Sequence, residues 1–103
     1  MSLYYNIAGS TSVTTELVSP SSETDINIIS ICNTHSSNAA SITVFIQDDP
    51  TSGATSTYKI INAIALPAKT SLILDDSDLV TYDNEYGLYI TVGSSDTVDV
   101  IIK

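Results

Sequence analysis

Three carboxylates, Asp75, Asp76 and Asp78, fall within four consecutive positions of the stretch "LILDDSDLV". Clustered carboxylates can hold a hard cation or divide acid and base roles between them. A calcium loop of the helix–loop–helix kind alternates oxygen ligands, turns sharply at a glycine and ends on a bidentate glutamate. "DDSDLVTYDNE" has no glycine before Gly87, and Leu79 and Val80 stand where ligands belong. Two readings remain. One is an irregular cation site built from Asp75, Asp76 and Asp78 with Asp83 or Asn84. The other, plainer one is a solvated turn between strands, where Asp accepts local backbone hydrogen bonds and charge discourages edge pairing.

Other reactive side chains are sparse. His35 is the sole histidine and lies in "NTHSSN", a turn-like run that offers no orienting carboxylate for a catalytic base. It is expected as an exposed loop residue. Cys32, the single cysteine, excludes an internal disulfide and a cysteine-based zinc site. It closes an apolar strand and is expected buried and inert. Paired carboxylates can hydrolyse glycosides, but a 103-residue chain without Trp or Arg offers little cleft for a sugar chain. Tyr82, Tyr86 and Tyr89 lie near Asp83, Asn84 and Glu85. They read as a sugar-binding platform or as amphipathic tyrosines packed on one side and wet on the other. There is no phosphate loop, nucleophile elbow or zinc signature. The chain is expected not to be an enzyme and to have no catalytic, cofactor-binding or metal residue.

The elements that would position these residues are extended. The chain is 43% apolar, only 15% charged, and of positive mean hydropathy. Short β-branched runs alternate with Ser, Thr, Asn, Asp, Gly and Pro, and no 3.6-residue apolar spacing is sustained. Candidate strands are 11–18, 25–32, 41–47, 56–66, 70–75, 86–92 and 97–103, with Leu79 and Val80 as a short addition. Ile26 and Ile28 share one face of the second and Ile29 and Ile31 the other, as in a strand buried on both sides or bulged near Ile28. In the fourth, Tyr58, Ile60, Asn62 and Ile64 share a phase. The last two read as a hairpin around "GSSD", with Leu88, Ile90 and Val92 facing inward alongside Val98, Val100 and Ile102. Seven or eight strands at a spacing of roughly ten residues predict an all-β, single-domain antiparallel β-sandwich, jelly-roll or Ig-like.

The first ten residues stand apart from this domain of residues 11–103. Leu3, Tyr4, Tyr5 and Ile7 form either a first strand of the same domain or an arm that pairs with a neighbouring subunit, which makes them candidate interface residues.

Charge narrows the partners. Twelve acidic residues against Lys59, Lys69 and Lys103 leave a net charge of −9. That balance argues against nucleic acid and against an anionic membrane surface. "MSLYYNIAGS" lacks the basic start and apolar core of a signal peptide, and no run reaches the ~20 apolar residues of a membrane span.

The succession "ISICNTHSSNAASITVFI", "TYKIINAIALPAKTSLILDDSDLV" and "YGLYITVGSSDTVDVIIK" resembles small all-β virion proteins of tailed phages, notably those of marine cyanobacterial phages. Its markers fall at Asn33 and Thr34, at Tyr58, at the corner Leu66-Pro67-Ala68-Lys69-Thr70, at Leu72 to Asp75, and at Thr97 to Ile102. Lys69 stands where glycine is common in that group. The likeness covers roughly residues 26 to 103, and none of its motifs is catalytic. It implies a repeated, non-enzymatic virion component, made in the host cytoplasm, that decorates or cements the head or sits at the neck or tail. Its expected partners are itself, as a homo-oligomer and specifically a trimer, and other virion proteins.

Overall fold

The computed structural model describes residues 3–8, 13–19, 26–48, 56–75, 86–93 and 96–103. Among them are eight strands and no helix: β1 Leu3–Ala8, β2 Val13–Val18, β3 Ile29–Asn33, β4 Ala40–Asp48, β5 Thr57–Leu66, β6 Ser71–Leu74, β7 Tyr86–Val92 and β8 Thr97–Ile102. Leu79 and Val80 lie outside the described residues.

The pairing follows one rule. First pairs with last, second with second-last, and so inward: β1 with β8, β2 with β7, β3 with β6, β4 with β5, all antiparallel. This is one long antiparallel hairpin rolled over on itself. Two further pairs, β3 with β8 and β4 with β7, join the layers into sheets of order β1-β8-β3-β6 (sheet A) and β2-β7-β4-β5 (sheet B). The result is a jelly roll. In an Ig-like sandwich sequential strands pair repeatedly within a sheet; here β4 and β5 are the one sequential pair among the described residues.

The expected hairpin of residues 86–103 is therefore not formed. β7 and β8 belong to different sheets. Leu88, Ile90 and Val92 do face inward, as do Val98, Val100 and Ile102, but they meet across the core. The alternation fits either arrangement, because two stripes that each want burial satisfy it side by side or face to face. The crossing is fixed at Gly93, whose N–H donates to the Ser41 carbonyl (3.0 Å), while Asp96 Oδ2 accepts from the Ser41 N–H (3.0 Å). A Cβ on Gly93 would lie 2.5 Å from that Asp96 oxygen.

Bulges explain where strict alternation fails. The N–H groups of Asn27 and Ile28 both donate to the Lys103 carbonyl (2.8 and 3.0 Å), two residues opposite one. Past this point the phase switches, so Ile28 is exposed while Ile29 and Ile31 are buried, and β3 proper starts at Ile29. In β2 the register slips between Glu16 and Val18. The extra residue, Leu17, is buried together with its neighbour Val18. Its carbonyl accepts a hydrogen bond from the Tyr5 hydroxyl, which ties β1 to the facing sheet. In β5, Leu66, Ile64 and Ile61 stand opposite the buried Ala40, Ile42 and Val44, so the single phase expected through Tyr58, Ile60, Asn62 and Ile64 is interrupted. Ala63 takes a φ of 51° there, and its N–H donates to Thr43 Oγ1 (2.9 Å).

The corner after β5 hangs on Asn33, which is fully buried. Asn33 N–H donates to the Thr70 carbonyl (2.9 Å) and its own carbonyl accepts from Lys69 N–H (3.0 Å). Lys69 has a φ of 60°, the left-handed region where a Cβ is strained. Lys69→Gly is expected to stabilise the fold by up to about 1 kcal/mol, read as a higher urea midpoint at unchanged slope. A lower midpoint would contradict this account of the corner.

Candidate interaction surface

Each sheet has one face on the core and one outside. On the outside of sheet B the cross-strand row Glu16, Tyr89, Phe45, Lys59 carries a charge at each end. The Phe45 and Tyr89 rings stack at 5.4 Å, and Tyr89 Oη lies 3.4 Å from Glu16 Oε2. Beside it runs a threonine row in which Thr14 and Thr91 hydroxyls are 2.8 Å apart. This is a polar coat.

Sheet A differs. Its register sets Tyr4 opposite Ile101, Ile101 opposite Ser30, and Ser30 opposite Ile73. The row crosses all four strands, about 14 Å at ordinary strand spacing. Three of its four members are large, apolar and exposed: Tyr4 at 73%, Ile73 at 53% and Ile101 at 44%. Ile28 is exposed beyond them, past the bulge. The next row is polar, Asn6, Asp99, Cys32 and Ser71, with Asn6 Nδ2 donating to Asp99 Oδ1 (2.7 Å). On a chain this acidic, a row of exposed aliphatic and aromatic groups is a candidate interaction surface.

Of the interface residues expected from sequence, Tyr4 belongs to this surface. Strand alternation turns Leu3, Tyr5 and Ile7 the other way: Ile7 is in the core, and Leu3 and Tyr5 pack against it. Ile73 and Ile101 were not recognised from sequence. The signal was present: in "SLIL" and "VDVIIK" an isoleucine occupies the phase whose neighbours on that face are polar.

The remaining candidates among the described residues are dispersed. Asp75 is exposed just after β6; Asp76, Asp78, Tyr82, Asp83 and Asn84 lie outside the described residues. Among the described residues no three His, Cys, Asp or Glu side chains are grouped to hold a metal. Cys32 is not buried as expected. It alternates with the buried Ile31 and Asn33 and so comes to the partly exposed outer face of sheet A. His35 is half-buried, and its Nδ1 accepts from the N–H groups of Ser37 (3.1 Å) and Asn38 (3.0 Å), shaping the loop before β4. Tyr86 and Tyr89, three apart on β7, point to opposite faces. Tyr86 packs against the core and tilts against Tyr58 at 5.9 Å, whereas Tyr89 stacks on Phe45 outside. The two do not share a platform.

Comparison with models of protein families, with curated proteins and with solved structures finds no match. Fold and surface together define a class in physical terms: an acidic jelly-roll sandwich with one polar outer face and one outer face crossed by an apolar row.

Proposed function

We propose that this chain is a non-enzymatic structural protein of a phage particle, acting by self-association and by binding other virion proteins as a head decoration or cement, or as a neck or tail component. The observation that carries this reading is the exposed row of Tyr4, Ile101 and Ile73 on sheet A. Burying it against another protein supplies a driving force of roughly 25 cal/mol per Å² of apolar area, and requires no reactive group. Two further points support the reading. The likeness to phage virion proteins lies in the segments that form β3 to β8. Jelly rolls also recur in viral capsid proteins, an argument by fold analogy that raises the expectation without deciding it.

The decisive experiment is the protein inventory of purified particles. Mass spectrometry and antibody labelling are expected to find this chain in many copies per particle, retained through density-gradient purification. Its absence from such particles would overturn the reading.

A further inference from the structure

We propose that two copies of this chain join edge to edge along β1, antiparallel about a two-fold axis, so that two sheets A become one of eight strands. The inference deepens the self-association reading and rests on it.

It starts from the four sheet edges. An open edge presents unpaired N–H and C=O groups, and natural sheets guard such edges with bulges, charges, proline or brevity. β5 has two register breaks and carries Lys59. β2 has a break at Leu17 and carries Glu16. β6 is four residues long, preceded by Pro67 and followed by Asp75. β1 has none of these guards. "LYYNIA" contains no charge, proline or glycine, and all six residues keep unbroken register with β8. Among the described residues no strand pairs with the outer side of β1, which is thus the best-formed template for another strand among the four.

The occupant is a second copy of the chain, for three reasons. An antiparallel strand can pair with itself about a two-fold, so one patch serves both partners. A three-fold ring would instead need two different complementary patches, and no second edge matches β1. This distinguishes the two-fold pair from the expected trimer. Second, each copy has a net charge of −9, so contact between copies requires a neutral strip. β1 is such a strip, and the nearest carboxylate on the adjoining strand, Asp99, is already held by Asn6. Third, pairing in phase keeps Tyr4, Asn6 and Ala8 on the outer face and sets the two Tyr4 side chains beside the seam.

In-phase pairing about a two-fold aligns at most five of the six residues of β1, and these bury less than the roughly 800 Å² per partner of a standard interface. The pair is therefore weak and is filled where copies are held at high local concentration on a particle. Association tightens at about 1 M salt, where charges are screened beyond about 3 Å.

The test compares sedimentation equilibrium of the full chain with Tyr4→Glu and Ile73→Glu. Both sites are exposed on the same face of sheet A, at opposite edges, so both variants are expected to fold, which unchanged thermal unfolding will verify. Wild type is expected to dimerise with rising concentration. Tyr4→Glu, which sets two carboxylates at the seam, is expected to weaken the dimer at least tenfold, and Ile73→Glu to leave it within about twofold. Hydrogen exchange supplies a second readout: alternate β1 amides are expected to slow as the dimer fills. A wild-type trimer, equal sensitivity to both variants, or β1 exchange unchanged on assembly would overturn the edge contact and leave self-association standing. A monomer at every concentration and salt would overturn both.

Discussion

Asn33→Ala is expected to destabilise the fold by roughly 3 kcal/mol or more, the largest loss from removing any one polar side chain among the described residues. Asn33 is fully buried. Its Nδ2 donates to the carbonyls of Asn38 and Leu66 (both 2.9 Å), and its Oδ1 accepts from the His35 N–H (3.0 Å). Truncation leaves those partners without it and opens a void, and each orphaned buried group costs about 1–3 kcal/mol. For a domain of this size each kcal/mol lowers the melting temperature by about 4–8 °C, which calorimetry reads directly. Asn33→Asp sharpens the test. It replaces the donor with an acceptor facing the same carbonyls, so the buried charged form is disfavoured and the introduced carboxyl has a raised pKa in the fold. Relative to wild type at the same pH, the variant is expected to be least destabilised below the unfolded carboxyl pKa of about 3.9. It then loses stability as the pH rises, until the folded carboxyl has also ionised. A mild, pH-independent effect would contradict the role of Asn33 as the tie between the loop at 33–38 and the corner at 66–70.

The second large effect separates two neighbours of the same type. Ile102 is 1% exposed and faces the core, whereas Ile101 is 44% exposed on the outer row. Ile102→Ala is expected to cost about 2–5 kcal/mol through lost burial and the cavity left behind. Ile101→Ala is expected to change the unfolding free energy by less than about 1 kcal/mol, in the range of surface changes, and to act on association. Because a one-residue slip would exchange the two faces of the whole strand, the pair tests the register of β8 directly. Chemical denaturation of both variants, with comparable slopes, reads the difference. Equal losses would show that β8 is placed wrongly.

Much of this architecture is legible from the chain. β-branched runs bounded by turn residues locate the strands, and period-2 alternation in Ile42, Val44 and Ile46 names a core-facing set that the structure buries. Three things are not legible, each for a physical reason. Alternation says which face of a strand is apolar, not which sheet the strand joins, so β7 and β8 read as a hairpin although they face each other across the core. Bulges at Ile28, at Leu17 and within β5 reset the phase by one residue, and their driving contacts are long-range in sequence, such as the Tyr5 hydroxyl on the Leu17 carbonyl. The apolar row was hidden for a different reason. Tyr4, Ile101 and Ile73 are far apart in the chain, and an isolated apolar residue in a polar phase means little until the register lines three of them up. Lys69 is the converse case: its positive φ goes with the corner's hydrogen bonds to Asn33 and is not signalled by a lysine.

The central claim is that the outer side of sheet A is the working surface of this protein and the outer side of sheet B is not. Tyr4, 73% exposed on sheet A, and Lys59, exposed opposite Phe45 on the outer side of sheet B, report on the two outer faces separately. The most direct measurement is hydroxyl-radical footprinting of the wild-type chain, followed by peptide mass spectrometry, across a rising concentration series. Tyr4 is expected to become protected as copies associate while Lys59 stays reactive. Unchanged reactivity of Tyr4 at every concentration, or protection of Lys59 alone, would contradict the claim.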